Sequence, residues 1–440
     1  MEQVSSASFR DKIARLFEFA KYGTNFRTEI IAGVATFLAL SYIFVVNPSI
    51  LSQGGFDKSV VLFATIVASA VATLLMGVFA NKPLVLAPGM EINAFVAFYV
   101  IGQLGFTWQQ ALGAVFWSAV IFIVLTLSGV REKIIRAIPE RMNAGLSLCV
   151  GVFLGLIALK LAGVLVYEGI ALKGIGVLFS PAALVLYFGV AAVLLLRRFK
   201  VGGAVLISII LCTAVAHFIG LGQTTGEAIE VSADMLQGVL KADLGVILDP
   251  KMLSIILVLF LIDFYGSVAK LIGLTRKLDK QGKVPKMKQT LLVDGAGAAL
   301  GAQLGTTSII TYVESAVGIG EGGRTGFTAI VCGVLMLLFF LLAPLVNLVP
   351  VIATTGVLLW VGIMLFPAKE ELKKYDKVEV ATLLAMIAAV VYTFAIDKAL
   401  LVGFIAYIGG LALTGKWRQV NKYLVASAVL LFIGVALQTL

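Results

Sequence analysis

Runs of about 20 apolar residues recur from one end of this chain to the other, each long enough for a helix to cross the roughly 30 Å hydrocarbon core of a bilayer. They draw on Leu, Ala, Gly, Val and Ile without apolar/polar alternation, which predicts helices rather than the alternating strands of an outer-membrane barrel. With 60% hydrophobic residues, 13% charged residues and a mean hydropathy of +1.05, too little polar sequence remains for a separate soluble domain. The expected fold class is an all-α polytopic membrane protein. The opening stretch, MEQVSSASFRDKIARLFEFAKYGTNFRTE, is charged and amphipathic and lacks an apolar segment with a small-residue cleavage site, so no cleaved signal peptide is expected.

A formal charge of +10 fits a nucleic-acid binder as well as a membrane protein, so the placement of the charges decides. Of the 34 Lys and Arg, 27 fall in alternate connections: the N-terminal arm, Lys82, Arg131 to Arg141, Arg197 to Lys200, Arg276 to Lys288, Arg324, Lys369 to Lys377 and Lys416 to Lys422. By the positive-inside rule these connections are cytoplasmic, which predicts an inner (plasma) membrane protein with its N-terminus inside and no nucleic-acid partner. The connection from Leu221 to Lys251 carries Glu227, Glu230, Asp234, Asp243 and Asp249, as an outward loop can.

Fourteen spans follow. The first seven are 29–47, 59–80, 85–102, 108–128, 143–165, 179–196 and 202–220; the second seven are 252–274, 290–304, 308–320, 325–346, 348–366, 379–396 and 399–415. Seven is odd, so the second group enters the membrane with opposite orientation, and two inverted repeats are expected. The apolar tail from Tyr423 to Leu437 lies along the interface or extends the last hairpin.

Two spans, the third and the tenth, are interrupted at corresponding places. LVLAPGMEINAF contains Pro88-Gly89, and LGTTSIITYVES contains Gly305, Thr306, Thr307 and Ser308. Broken backbone at membrane depth is tolerated where it lines a cavity or is buried in protein, so these read as half-helices aimed at a solute. Kinks in packed helices are the bland alternative. Each break is followed by an acid, Glu91 and Glu314, and a carboxylate at that depth is expensive enough to be a functional candidate.

On the eighth span Asp263 and Lys270, seven residues apart, share one helix face, although Lys270 reads equally as a side chain snorkelling to the cytoplasmic end. Asp294 and Glu29 read as N-terminal capping or packing groups. Cys149, Cys212, Cys332 and the single His217 lie in apolar runs and read as packed residues, which leaves no ligand set for a metal. The stretch GIGEGGRTG lacks the Lys-Ser/Thr ending of a phosphate loop and reads as a tight cytoplasmic turn with a basic anchor. Neither a nucleophile elbow nor a kinase signature is present, so neither an enzyme nor a cofactor is expected.

At these residues the chain resembles the AzgA-like purine permeases, a branch of the nucleobase:cation symporter (xanthine/uracil permease) family. The resemblance covers essentially its whole length: AGVATFLALSYIFVVNPSIL after Thr28-Glu29, LAPGMEINAF, and most specifically GTTSIITYVESAVGIGEGGRTGFTA. It implies core and gate domains, a homodimer, elevator-like alternation and substrate at the core-gate boundary. It also implies that Glu314 and an aspartate on span 8 accept hydrogen bonds from a nucleobase. Here the chain departs: the span 8 aspartate position is Gly266, the usual glycine after A-P-G-M is Glu91, and a usual threonine is Lys270. Glu91 is expected to replace the missing carboxylate and to pair with Lys270.

The expected organisation is a cytoplasmic arm (1–28), core domain (29–128 and 252–346) and gate domain (143–220 and 348–440). The expected function is proton-coupled import of a purine-type nucleobase such as hypoxanthine, guanine or adenine. Candidate substrate contacts are Glu314, Glu91, Met90, Asn93, Tyr265, Gly266, Thr306, Thr307 and Ser308; Lys270, Asp263 and Glu314 are candidates for charge pairing or coupling. Alternatives are a carrier of another small heterocycle or a small anion, a channel or facilitator, and a non-transporting receptor or scaffold.

Overall fold

The computed structural model describes residues 9–129, 140–168, 171–222, 232–278, 286–366, 372–394, 396–420 and 422–438. Glu227, Glu230, Arg131 and Lys369, named above for topology, lie outside the described residues, as does the side chain of Tyr265.

The apolar runs form helices with recognisable stops and starts. Asp57 caps the Lys58–Leu75 helix by accepting from the amides of Ser59 and Val60, and Asn81, in the left-handed region at φ 50°, ends its extension. Thr107 and Gln110 form a capping box at the start of Trp108–Leu127. Five helical stretches are long and apolar enough to cross a membrane by length and composition: Phe26–Gly54, Lys58–Ala80, Trp108–Leu127, Pro181–Arg198 and Gly326–Val346. Shorter apolar helices fill in between them, and the fold is mostly helical and of the polytopic membrane type.

The helices pack in two groups. Phe26–Leu40, Lys58–Leu75, Trp108–Leu127, Pro250–Leu278, Met287–Leu304 and Gly326–Leu338 form one, while Glu140–Leu161, Pro181–Arg198, Ala204–Phe218, Val351–Met364, Lys377–Thr393 and Ile396–Leu413 form the other. In the second group the crossings rely on missing side chains: a Cβ on Gly151 would meet the Gly362 carbonyl oxygen at 2.5 Å, and one on Gly356 would meet the Gly189 Cα at 2.7 Å. Small residues let helix backbones approach in this way where lipid provides no hydrophobic drive to associate.

Three features differ from the sequence reading, and a fourth decides between two placements that it left open. The all-α expectation gives way to two short antiparallel sheets among the described residues: Leu86–Pro88 with Ile309–Thr311, and Leu165–Glu168 with Ala171–Ile175. Extended backbone in an apolar interior must find partners for its amides and carbonyls, and here the two interrupted segments supply each other. Asp294 lies inside the Met287–Leu304 helix rather than at its start, and it accepts from the Thr311 amide (2.9 Å), the Thr311 hydroxyl (2.9 Å) and the Ser267 hydroxyl. His217 is exposed rather than packed, and its Nε2 lies 2.9 Å from the Leu348 carbonyl oxygen near a helix end. The apolar tail forms a helix, Lys422–Gln438, packed on Pro250–Leu278 and Ile396–Leu413, so it extends the last hairpin.

Glu29 holds two distant parts of the chain together. It stands in the first turn of its own helix, fully buried, and accepts from the Arg324 amide (3.0 Å), the Thr328 amide (3.2 Å) and the Thr328 hydroxyl (2.5 Å). It thereby caps the helix that begins at Gly326, where a carboxylate complements the dipole. Arg324 itself donates to the carbonyls of Ile319 (2.7 Å) and Gly323 (2.8 Å), closing the glycine-rich turn with Gly322 at φ +100°.

Candidate functional site

The paired strands place the two candidate carboxylates. Register sets Leu86 opposite Thr311, Ala87 opposite Ile310 and Pro88 opposite Ile309. Beyond Pro88 the chain turns into a short helix, Met90–Ala94, with Glu91 in its first turn; beyond Thr311 it turns into Ser315–Gly320, with Glu314 at the cap position. Three further bonds fix the crossing: the Gly89 amide donates to the Ser308 carbonyl (2.9 Å), the Tyr312 amide to the Val85 carbonyl (2.9 Å) and the Tyr312 hydroxyl to the Pro88 carbonyl (2.6 Å).

Residues 306 to 311 reach four different helices. Asn47 Nδ2 donates to Thr306 Oγ1 (2.9 Å) and Thr65 Oγ1 (2.7 Å); the Thr307 hydroxyl donates to Asn93 Oδ1, the Ser308 hydroxyl to Asp263 Oδ2, and Thr311 to Asp294. Thr306, Thr307, Asn93 and Ser308 are at most 1% exposed. Their geometry is that of anchors that pin the strand within the bundle. Met90 is likewise buried, in the apolar core.

The carboxylates have different partners. Lys270, on Pro250–Leu278, brings its Nζ to 2.6 Å from Glu91 Oε1, with side chains 14% and 9% exposed. Gly266 lies one turn earlier on the same helix; among the described residues, and its own helix backbone aside, a Cβ there would have one atom within 4 Å, Glu91 Oε1 at 3.3 Å. Glu314 accepts from the Tyr42 hydroxyl (2.9 Å) through Oε1, and its buried Oε2 has no hydrogen-bond partner among the described residues. Tyr42 comes from the interruption between the helices Phe26–Leu40 and Ile43–Leu51. Sequence reasoning missed this residue, because a tyrosine in an apolar run looks like any core aromatic; the break in the first helix beside it was the available signal.

Glu314 and Tyr42 line a cleft of about 750 Å³ between the two helix groups. One wall is formed by Ile30, Val34 and Leu38 and by Val313, Glu314, Ala316, Val317 and Glu321; the other carries Arg197, Lys200, Trp360 and Met364. The Arg197 guanidinium lies 5.3 Å from the Trp360 ring centre and donates to Met364 Sδ at 3.5 Å.

The permease family profile matches residues 27–402. Adenine permease AdeQ of Escherichia coli K12 is 37% identical, over 97% of this chain and 96% of that one. Guanine/hypoxanthine permease PbuG of Bacillus subtilis 168 is 33% identical, over 92% and 95%. Among solved structures, the transmembrane domain of the cyanobacterial bicarbonate transporter BicA superposes with a TM-score of 0.65 at 16% identity, covering 87% of this chain and 97% of that one. At that identity the likeness is one of fold.

Proposed function

We propose that this chain, which belongs to the permease family of nucleobase:cation symporters, imports a purine-type nucleobase across the membrane in which its helices lie. The observation that carries the reading is Glu314: a carboxylate with one oxygen held by Tyr42 and the other buried and unpartnered, at the wall of a cleft between two helix groups. Carboxylate oxygens suit the ring N–H donors of a nucleobase. The purine permeases reported above, similar to this chain over nearly its whole length, support the same class of cargo.

In this reading the spans number fourteen, in two inverted repeats, and the segments at Leu86 and Ile309 begin broken half-helices whose ends meet at the cargo. The helix group holding Glu91, Lys270, Asp263 and Glu314 is the core, and the group holding Arg197 and Trp360 is the gate. The core slides against the gate in a homodimer, in the manner of an elevator. Cargo sits between Glu314, Glu91 and Gly266, while Met90, Asn93, Tyr265, Thr306, Thr307 and Ser308 shape the crossing around it. A proton accompanies the cargo on Glu314.

The test is saturable uptake of radiolabelled hypoxanthine, guanine and adenine by cells lacking their own nucleobase permeases, wild type against Glu314→Gln at equal membrane abundance. Uptake lost in the variant supports the reading, and wild-type protein in the membrane that takes up no purine overturns it. Counterflow of preloaded substrate separates a carrier from a channel.

A further inference from the structure

Gly266 is partly exposed, although Phe264 and Ser267 beside it on the helix and Glu91 opposite are buried. Among the described residues, and leaving aside its own helix backbone, a methyl group there would have Glu91 Oε1, at 3.3 Å, as its one neighbour within 4 Å, so a notch lies against backbone at this point. Glycine is the residue that lets a ligand approach a backbone this closely. The edge of the notch is the Glu91–Lys270 pair, which offers ammonium donors and carboxylate acceptors side by side while carrying no net charge.

We infer that the Gly266 notch receives the flat ring of the cargo and that the Glu91–Lys270 pair restricts that cargo to uncharged heterocycles bearing adjacent N–H donors and acceptors; this rests on the nucleobase reading above. An anion entering the notch would place its charge beside Glu91, and a cation beside Lys270, in a site poorly screened by water. A neutral ring satisfies both partners and disturbs neither charge. Glu91 thus acts as a mask on Lys270. Without it the same notch becomes an anion site.

The experiment compares hypoxanthine, uncharged at neutral pH, with urate, an anion there. Purified full-length wild type, Glu91→Gln, Glu91→Gln/Lys270→Met and Gly266→Ala are followed by thermal stability with each compound, and in cells by hypoxanthine uptake. Wild type is expected to be stabilised by hypoxanthine and not by urate. Glu91→Gln gains a saturable urate stabilisation that wild type lacks, from the one uncompensated charge, and the double variant loses it again. Gly266→Ala favours the helix and so keeps its abundance, yet raises the KM for hypoxanthine about tenfold by filling the notch. Urate stabilisation of wild type, no urate response in folded Glu91→Gln, or an unchanged KM in Gly266→Ala would each overturn the inference. Lack of all purine uptake by wild type strikes the nucleobase reading instead, because the urate response is measured without transport. If Glu91→Gln does not fold, the KM of Gly266→Ala still decides.

Discussion

The two interrupted segments are alike in backbone and unlike in chemistry. Leu86–Pro88 and Ile309–Thr311 are three-residue strands that pair with each other, and each leads through a turn to a carboxylate. Glu91 faces an ammonium at 2.6 Å, whereas Glu314 faces a phenol hydroxyl at 2.9 Å and leaves its second oxygen unpartnered. A carboxylate with a counter-charge cannot take a proton without stranding that charge; one held by a neutral hydroxyl can. The difference gives two carboxylates on paired strands unlike surroundings: an ammonium beside Glu91 and a neutral hydroxyl beside Glu314.

Breaking the charged arm of this comparison has the largest expected effect. Lys270→Met strands Glu91 in the interior and lowers stability by about 3 kcal/mol, most of which Glu91→Gln restores in the double variant. Thermal unfolding in detergent reads both, and a stable single variant would mean that Glu91 does not depend on its partner. Glu314→Gln tests the other arm: uptake falls about a hundredfold as a charged acceptor is lost, with thermal stability near wild type because no ion pair is broken.

Tyr42→Phe sharpens the comparison more gently. It removes the hydrogen bond that Glu314 Oε1 accepts and is expected to reduce uptake about tenfold while altering its pH profile. An unchanged profile would place the coupling proton elsewhere. The smallest effect lies outside the membrane and serves as a control. The Lys416 hydrogen bond (2.8 Å), followed by the Glu379 amide, holds the Asp376 carboxyl below the usual carboxylate range. A depressed folded value stabilises above the unfolded value of about 3.9, and the contribution is lost as pH falls through the folded one. Because both side chains are about 40% exposed, Asp376→Asn should cost a few tenths of a kcal/mol at neutral pH, less in acid, and leave uptake unchanged. Melting curves at neutral and acid pH check the sign.

The helices were legible because each is an apolar run bounded by charge, cap or glycine. Lys58–Ala80 and Trp108–Leu127 begin and end within a residue or so of the runs that announce them. The interruption at Pro88-Gly89 was legible as well, since a proline and a glycine together break a helix wherever they stand. The partners of the interruption were not. Nothing local in Ile309–Thr311 distinguishes a strand paired with Leu86–Pro88 from a continuing helix, and nothing near Glu29 or Asp294 names Thr328 or Thr311 as the groups they hold.

What the sequence determined by itself is the solvent and the building units: lipid around most of the chain, helices as the means of satisfying the backbone there, and carboxylates at two depths where charge is expensive. The tertiary structure decided which groups those carboxylates meet. Whether a buried acid faces an ammonium, caps a distant helix or lies beside a cleft depends on which group lies within about 3 Å, and for Glu91, Glu29 and Glu314 that group comes from 179, 299 and 272 residues away. Local pattern fixes the elements; long-range approach fixes their partners.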